Sequence, residues 1–163
     1  MHEDRTMITF KQNSARFTYR VAAIATHNDS ILFEYASHKN FYNPPGGRAE
    51  MGETAAQSLT REMREELGTD ITIVRLLYVV EQFFTHKSVA HQTLGLYFLV
   101  TFPADTYLYT QPGPFTRVEE DWHLNFAWLP IAELERFPIF PSFLRTGLQH
   151  IPEQTLHIVH TDE

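Results

Sequence analysis

The 163-residue sequence contains no cysteine, which excludes a disulfide framework, a thiolate zinc site and a cysteine nucleophile. It has no run of lysine and arginine and a net charge of −7, so a protein that binds duplex nucleic acid is not expected. No apolar run approaches the ~20 residues that cross a bilayer, so no membrane partner is expected. No signal-peptide pattern follows the charged stretch Met1–Arg5, and we therefore expect a cytoplasmic protein.

The residues that are present are typical of one globular domain. Hydrophobic residues make up 43% of the chain, and 13 phenylalanines can fill a core, so a disordered chain is not expected. A length of 163 residues suits one domain with a single core. An acidic protein that handles phosphates would need metal ions and a few arginines to offset charge repulsion.

The stretch 47–69 contains the strongest helix pattern of the sequence. No proline or glycine interrupts it from Glu53 to Leu67, and Gly68 follows at the position where helices commonly end. At about 100° per residue, four apolar side chains fall on one narrow stripe. They are Ala56, Leu59, Met63 and Leu67. The pattern predicts an amphipathic helix that begins at Glu53.

Glu62, Glu65 and Glu66 share one face of this helix, because their spacing is i, i+3, i+4. Each like-charged pair costs about 0.2–0.5 kcal/mol, and anions near a helix C-terminus also oppose the helix dipole. A divalent cation between the carboxylates would remove both costs, and oxygen ligands suit Mg²⁺, Mn²⁺ or Ca²⁺ better than a soft metal. The alternative is a solvated acidic face.

The wider pattern resembles the Nudix box, the signature of the Nudix hydrolase family. The matching positions, all in register, are Gly47, Glu53, Arg61, Glu62, Met63, Glu65, Glu66 and Gly68. Thr69 departs from the bulky aliphatic residue that is usual after Gly68. The resemblance covers roughly residues 16–150. It leaves 1–15 as an N-terminal extension and 151–163 as a C-terminal segment with a candidate extra strand.

The resemblance implies an α/β fold: a single Nudix-type α/β/α sandwich with a mixed, partly antiparallel sheet. Hydrophobic alternation and turn residues predict the individual elements. The predicted strands are 16–26 and 31–36 as a hairpin, 71–84 and 91–102 as an antiparallel pair, 125–128, and 155–160 at the end of the chain. A last helix is predicted over 142–149 with Ser142 as its N-cap. Residues 103–121 are predicted to be a long irregular loop.

The same resemblance implies a metal-dependent hydrolase that cleaves a diphosphate linkage in a nucleoside diphosphate joined to another group. Candidate substrates are nucleotide sugars such as ADP-ribose, (d)NTPs and dinucleoside polyphosphates, and the cofactor is Mg²⁺ or Mn²⁺. Glu62 and Glu66 are the expected metal ligands. Glu65 is a third ligand or the catalytic group that orients the attacking water, and the Gly46 carbonyl is a further candidate ligand.

Glu53 and Arg61 are implied to brace the loop before the box against the helix. Gly47 and Gly68 complete this structural motif. Many family members have a further carboxylate beyond the box, as a ligand or as the general base, which makes Glu119 or Glu120 a candidate here, with Glu120 retained as the candidate base. A solvated acidic loop is the alternative for that pair.

Arg20 and Arg16 share one face of the first predicted strand and are candidates for contact with a substrate phosphate. The alternative is an exposed strand face. Glu81 is either one more acidic ligand or, as we favour, a carboxylate at a strand edge. Loops 83–91 and 103–121 are expected to select the leaving group.

Two other functions remain to be weighed. One is a non-catalytic nucleotide-binding or regulatory module on the Nudix fold, against which the complete set of glutamates argues. The other is an isomerase of the same fold, which normally uses a cysteine that this chain lacks. A homodimer is compatible with the family.

Overall fold

The computed structural model describes residues 5–163 and contains ten strands and two α-helices within them. The strands are β1 (Thr9–Gln12), β2 (Ala15–His27), β3 (Ser30–Ala36), β4 (Phe41–Asn43), β5 (Gly46–Arg48), β6 (Thr72–His86), β7 (Val89–Thr101), β8 (Phe115–Glu119), β9 (Trp122–Pro130) and β10 (Leu156–Thr161). The helices are α1 (Ala55–Leu67) and α2 (Leu144–Gly147), with 3-10 turns at Tyr107–Thr110 and Ile131–Arg136.

The strands form a mixed sheet whose longest path is β10-β6-β7-β2-β3-β9-β8. β6 and β7 form the predicted antiparallel pair, and β2 and β3 form the predicted hairpin. β2 runs parallel to β7 and also pairs with β1 and β5, so it connects the short strands to the main path. This topology places the loop before the helix beside the middle of the sheet.

Helix α1 has defined ends. Thr54 is its N-cap and forms a capping box with Gln57, so the helix begins at Ala55 and not at the predicted Glu53. Gly68 ends it in the left-handed conformation (φ 64°), as the sequence predicted. No helix in the described range 5–163 is long and apolar enough to cross a bilayer.

Two apolar clusters lie on opposite faces of the sheet, and the alternation of β2 separates them. Val21 and Ala23 face the cluster that contains the predicted stripe of α1, whereas Ala22 and Ile24 face the cluster that contains α2. Leu59, Met63 and Leu67 of the stripe are fully buried, and Ala56 is partly buried. The expected α/β/α sandwich is therefore confirmed.

The prediction of an irregular loop over 103–121 was wrong. The segment contains the 3-10 turn Tyr107–Thr110, capped by the Thr106 hydroxyl, and β8, which pairs antiparallel with β9 along five residues. The proline-rich stretch before β8 concealed its short alternating pattern. At the other end of the chain, β1 pairs with β2 although its sequence shows no clear period, and residues 1–4 of the predicted extension lie outside the described range.

The last helix is shorter than the sequence predicted. α2 spans only Leu144–Gly147, and its N-cap residue is Phe143 instead of Ser142. The Ser142 hydroxyl forms a hydrogen bond with His160, and the Ser142 backbone N–H donates to Asp162. Both groups therefore bind the C-terminal segment and do not cap the helix. The terminal strand expected over 155–160 is confirmed as β10, which runs parallel to β6.

Replacing Leu59 with alanine tests the packing of α1. Leu59 is fully buried against the sheet, so we expect the change to lower the free energy of unfolding by about 2–5 kcal/mol through lost burial and a residual cavity. Arg64→Ala on the exposed side of the helix removes only a surface ion pair with Asp70 and should cost at most about 1 kcal/mol. Chemical denaturation measures both, and equal losses would contradict the packing.

The attachment of β10 should depend on pH through Asp162. Burial alone would raise the pKa of this carboxyl, but hydrogen bonds donated by Ser142, Gln82 and His160 outweigh burial and hold the pKa below its ordinary value. A pKa that is lowered by folding stabilises the protein above the unfolded value, about 3.9, and this contribution is lost as pH falls through the folded pKa. Asp162→Asn should therefore be less stable than wild type at pH 7, and the difference should begin to shrink near about pH 4 and vanish below the folded pKa of Asp162 in denaturation curves. A difference that is constant with pH would contradict this role.

Candidate active site

Two glycines bring the loop before α1 into close contact with the helix and with β2. A Cβ at Gly46 would overlap the backbone of Val21, and a Cβ at Gly47 would overlap the carboxylate of Glu62. A side chain at Gly46 would push β5 away from β2, whereas a side chain at Gly47 would displace the Glu62 carboxylate. Gly47, one of the glycines assigned to the structural motif, therefore lies where Glu62 contacts the loop.

Arg61 forms ion pairs with four carboxylates. The distances from its guanidinium nitrogens are 3.4 Å to Glu50, 3.0 Å to Glu53, 2.8 Å to Glu62 and 3.4 Å to Glu65. Burial alone would lower the pKa of Arg61, but these acceptors outweigh it and raise the pKa. The guanidinium also donates to the carbonyl of Arg48, so it joins the loop to the helix, as the resemblance implied for Glu53 and Arg61.

Glu66 is the one box glutamate that Arg61 does not contact in the described part of the chain. Its residue surface is 8% exposed, and its buried Oε2 has no hydrogen-bond partner within residues 5–163. Burial raises its pKa well above the ordinary value, and the neighbouring Glu34 and Glu62 raise it further. An unpartnered buried carboxylate oxygen is costly, so this position favours a positive ligand.

Glu34 is a candidate site residue that the sequence analysis did not identify. It lies on β3, and its pKa is raised by burial first and by Glu62 as well, while Arg20 opposes the shift. The available signal was a single carboxylate inside the otherwise hydrophobic strand Ser30–Ala36. Pairing of β3 with β2 and β9 brings this carboxylate toward the end of α1, which sequence spacing alone does not reveal.

The remaining acidic candidates lie in different surroundings. Glu65 pairs with Arg5 (2.5 Å) as well as with Arg61. Glu119, at the end of β8, has a pKa raised by burial and then by Glu65 and Glu62, whereas Glu120 lies in the exposed turn that follows. Of the two candidates beyond the box, Glu119 is thus the one near the glutamates. Glu81 instead lies 2.7 Å from the ring nitrogen Nε2 of His157.

Arg20 lies between the glutamates and a cavity of about 530 Å³. It donates a hydrogen bond to the Pro44 carbonyl at 3.2 Å and lowers the pKa of Glu34 and Glu66 by its charge. The cavity is also lined by Arg16, which shares the predicted strand face with Arg20. Residues from 83–91 line the cavity, whereas no described residue from 103–121 does.

The donor set at the end of α1 fits a hard divalent cation in its chemistry. Glu34, Glu62 and Glu66 offer only oxygen, and the unpartnered Oε2 of Glu66 needs a positive partner. Across residues 5–163, however, no three acidic or histidine side chains are already arranged as a metal site. Two of the expected ligands, Glu62 and Glu65, form ion pairs with Arg61.

Comparisons with known proteins agree on the family. A family model described as NUDIX domain matches residues 16–148. The chain is 44% identical over 78 residues to an 8-oxo-dGTP diphosphatase from Proteus vulgaris, an alignment that covers 46% of this chain and 66% of that protein, just under two thirds.

Solved structures share the fold. An ADP-ribose pyrophosphatase from Streptococcus suis 89-1591 superposes with a TM-score of 0.57 at 14% identity, over 88% of this chain and 98% of that one. A MutT protein from Bacillus halodurans superposes with a TM-score of 0.59 at 17% identity, over 86% and 89%. At these identities the likeness concerns the fold alone. Together with the family model, which covers most of the chain, it shows that this protein belongs to the Nudix hydrolase family.

Proposed function

We propose that this protein is a metal-dependent Nudix diphosphatase that hydrolyses a diphosphate linkage in a nucleoside diphosphate derivative or a (d)NTP. The observation that carries the proposal is Glu66, a buried carboxylate with an unpartnered oxygen beside Glu34 and Glu62. A protein that needed only a stable helix would gain from a neutral side chain there. Mg²⁺ or Mn²⁺ held by Glu66, Glu62 and Glu34 would offset this cost, with the Gly46 carbonyl as a further candidate ligand.

The residues around this centre have separable roles in the proposed reaction. When bound, the divalent ion neutralises phosphate charge and activates water. Arg20 orients the phosphates, since it lies between the cavity and the glutamates. Arg61 fixes the carboxylates of Glu53 and Glu62 relative to the loop.

Glu119 is our candidate to accept the proton of the attacking water. Its raised pKa makes its carboxylate a better base than an ordinary glutamate. It forms no ion pair with an arginine or lysine among the described residues, whereas Glu65 is held by Arg5 and Arg61. Glu65 is then the group that orients the water or completes the ligand set, and the exposed Glu120 is the weaker candidate for the base.

The substrate class follows from the cations next to the site. Arg16, Arg20, Lys39 and Arg48 line one cavity in a chain of net charge −7, and such a concentration of positive charge suits a polyphosphate. Similarity to the 8-oxo-dGTP diphosphatase makes a modified or ordinary (d)NTP the first substrate to test, and the ADP-ribose pyrophosphatase makes a nucleotide sugar the second.

A nucleotide-binding module without catalysis is the second candidate function. The observation that favours it is the engagement of Glu62 and Glu65 by Arg61, which keeps both carboxylates occupied. A panel of 8-oxo-dGTP, dGTP, ADP-ribose and a dinucleoside polyphosphate with Mg²⁺ or Mn²⁺ separates the two. Release of a mononucleotide supports the hydrolase, and binding without release supports the module.

Glu66→Gln should lower kcat by at least about 100-fold on the best substrate of that panel, because it removes a charge that would hold the cation. The fold should persist, since glutamine keeps the shape and removes a buried charge. Glu81→Gln is the matched control, because that carboxylate contacts His157 away from the site, and it should retain wild-type rate. A Glu66→Gln variant with near wild-type kcat would refute the ligand assignment.

Metal binding should also be visible without substrate. Mg²⁺ or Mn²⁺ at about 100 times its dissociation constant should stabilise the wild type by about 2.7 kcal/mol, seen as a rise in Tm. The rise should shrink strongly in Glu66→Gln and persist in Glu81→Gln. An equal rise in all three proteins would place the ion elsewhere.

A further inference from the structure

The cavity beside Arg20 has a floor made of three neighbouring strands. Registration of β2, β7 and β6 aligns Thr18 with Thr93 and Thr93 with Gln82, so their side chains form one polar row. Thr93 and Gln82 are 8% and 4% exposed, and both line the cavity. Gln82 donates to Asp162 and Thr18 bonds with Thr9, so the row forms a polar floor beside Arg16 and Arg20 in the same cavity.

Tyr97 extends this floor because Gly95 lacks a side chain. A Cβ at Gly95 would lie 2.8 Å from Cε2 of the Tyr97 ring, so the ring leans along β7 over the glycine. Tyr97 is 2% exposed, and it too lines the cavity. The glycine therefore makes the room in which this ring lies.

The hydroxyl of Tyr97 donates to no residue in the described chain, although its neighbour Tyr78 does. Tyr78, the cross-strand partner of Tyr97 and equally buried, donates to the carbonyl of Gly147 at 2.9 Å. Burial raises the pKa of Tyr97 to about 12, with Arg20 and Asp162 as its charged neighbours. At neutral pH its hydroxyl is protonated, and it can donate a hydrogen bond to a ligand that enters the cavity it lines.

The walls of the same cavity are aromatic. Phe84 is stacked on His91 with ring centroids 4.6 Å apart, and Phe140 lies against both Phe84 and Phe41 at 5.0 Å. Flat rings stack well on such side chains, whereas a bare phosphate or sugar gains little from them. The volume of about 530 Å³ lies within the range of small-molecule pockets.

We propose that this cavity holds the nucleobase of the substrate and that the Tyr97 hydroxyl donates a hydrogen bond to it, which makes Tyr97 a specificity-determining residue. The proposal rests on the proposed function for the identification of the ligand as a nucleotide. The base stacks on the aromatic walls, and the phosphates extend past Arg20 toward the glutamates. Gly95 serves the same purpose indirectly, by leaving space for the ring.

The test compares Tyr97→Phe with Tyr78→Phe as the matched control, because each removes one hydroxyl from a tyrosine of equal burial. Calorimetric titration measures binding of GMP, AMP and inorganic tripolyphosphate, which has no base. We expect Tyr97→Phe to bind the preferred mononucleotide about 3–30-fold more weakly, as one lost hydrogen bond implies, and tripolyphosphate within about two-fold of wild type. Tyr78→Phe should bind all three as wild type does.

In thermal unfolding we expect the opposite order, with Tyr78→Phe as the more strongly affected variant. Tyr78→Phe loses a hydrogen bond within the fold and should lower Tm by about 2–4 °C, whereas Tyr97→Phe should keep Tm within about 1 °C of wild type. Gly95→Ala should weaken mononucleotide binding in the same direction as Tyr97→Phe, because its Cβ would displace the ring.

Three results would overturn the proposal. They are equal affinity of Tyr97→Phe and wild type for the mononucleotides, an equal loss of tripolyphosphate and mononucleotide binding, and no mononucleotide binding by the wild type. None of these depends on turnover, so the proposal and the hydrolase assignment fail separately. A protein that binds mononucleotides through Tyr97 but releases no product from the panel would keep this pocket and lose the catalytic function.

Discussion

The crowding of carboxylates at the end of α1 is the constraint on which the site depends. Glu62 and Glu65 of this group, together with two carboxylates that precede the helix, surround the partly buried Arg61 at 2.8–3.4 Å, and its charge compensates theirs. Glu66 is left outside this arrangement, with a raised pKa and an unpartnered oxygen. Arg61 thus compensates the carboxylates that hold the loop in place. Glu66 has no such ion-pair partner among the described residues, so it is the carboxylate that requires a ligand.

The fold supports this separation through close backbone approach. β5 contacts β2 so closely that a side chain at Gly46 would overlap its backbone, and the carboxylate of Glu62 lies where a Cβ of Gly47 would be. The absence of a side chain at Gly47 therefore gives the Glu62 carboxylate its place against the loop. Arg61 adds a second connection through the Arg48 carbonyl, so the helix, the loop and the sheet hold the acidic groups as one unit.

Hydrophobic periodicity and helix-end signals in the sequence predicted the elements that are determined by residues close together in the chain. The stripe of α1, its stop at Gly68 and the pairing of β6 with β7 follow from periodicity and end signals. Glu34 and the polar floor under Tyr97 did not follow, because the strand pairings that bring them to the site join residues far apart in sequence. β8 was missed because pairing with β9 stabilises five residues whose own pattern is weak.

The charged side chains that line the cavity are mainly positive, whereas the end of α1 carries negative charges. Burial lowers the pKa of Lys39, and the neighbouring Arg20 and Arg48 lower it further, so these cations repel one another as the carboxylates do. Arg20 belongs to both groups, since its charge also acts on Glu34 and Glu66. A phosphate chain would relieve the crowded cations, and a divalent ion would relieve the crowded carboxylates. Because Arg20 joins the two regions, the proposed metal–nucleotide complex would satisfy both at once, whereas either component alone would leave one imbalance in place.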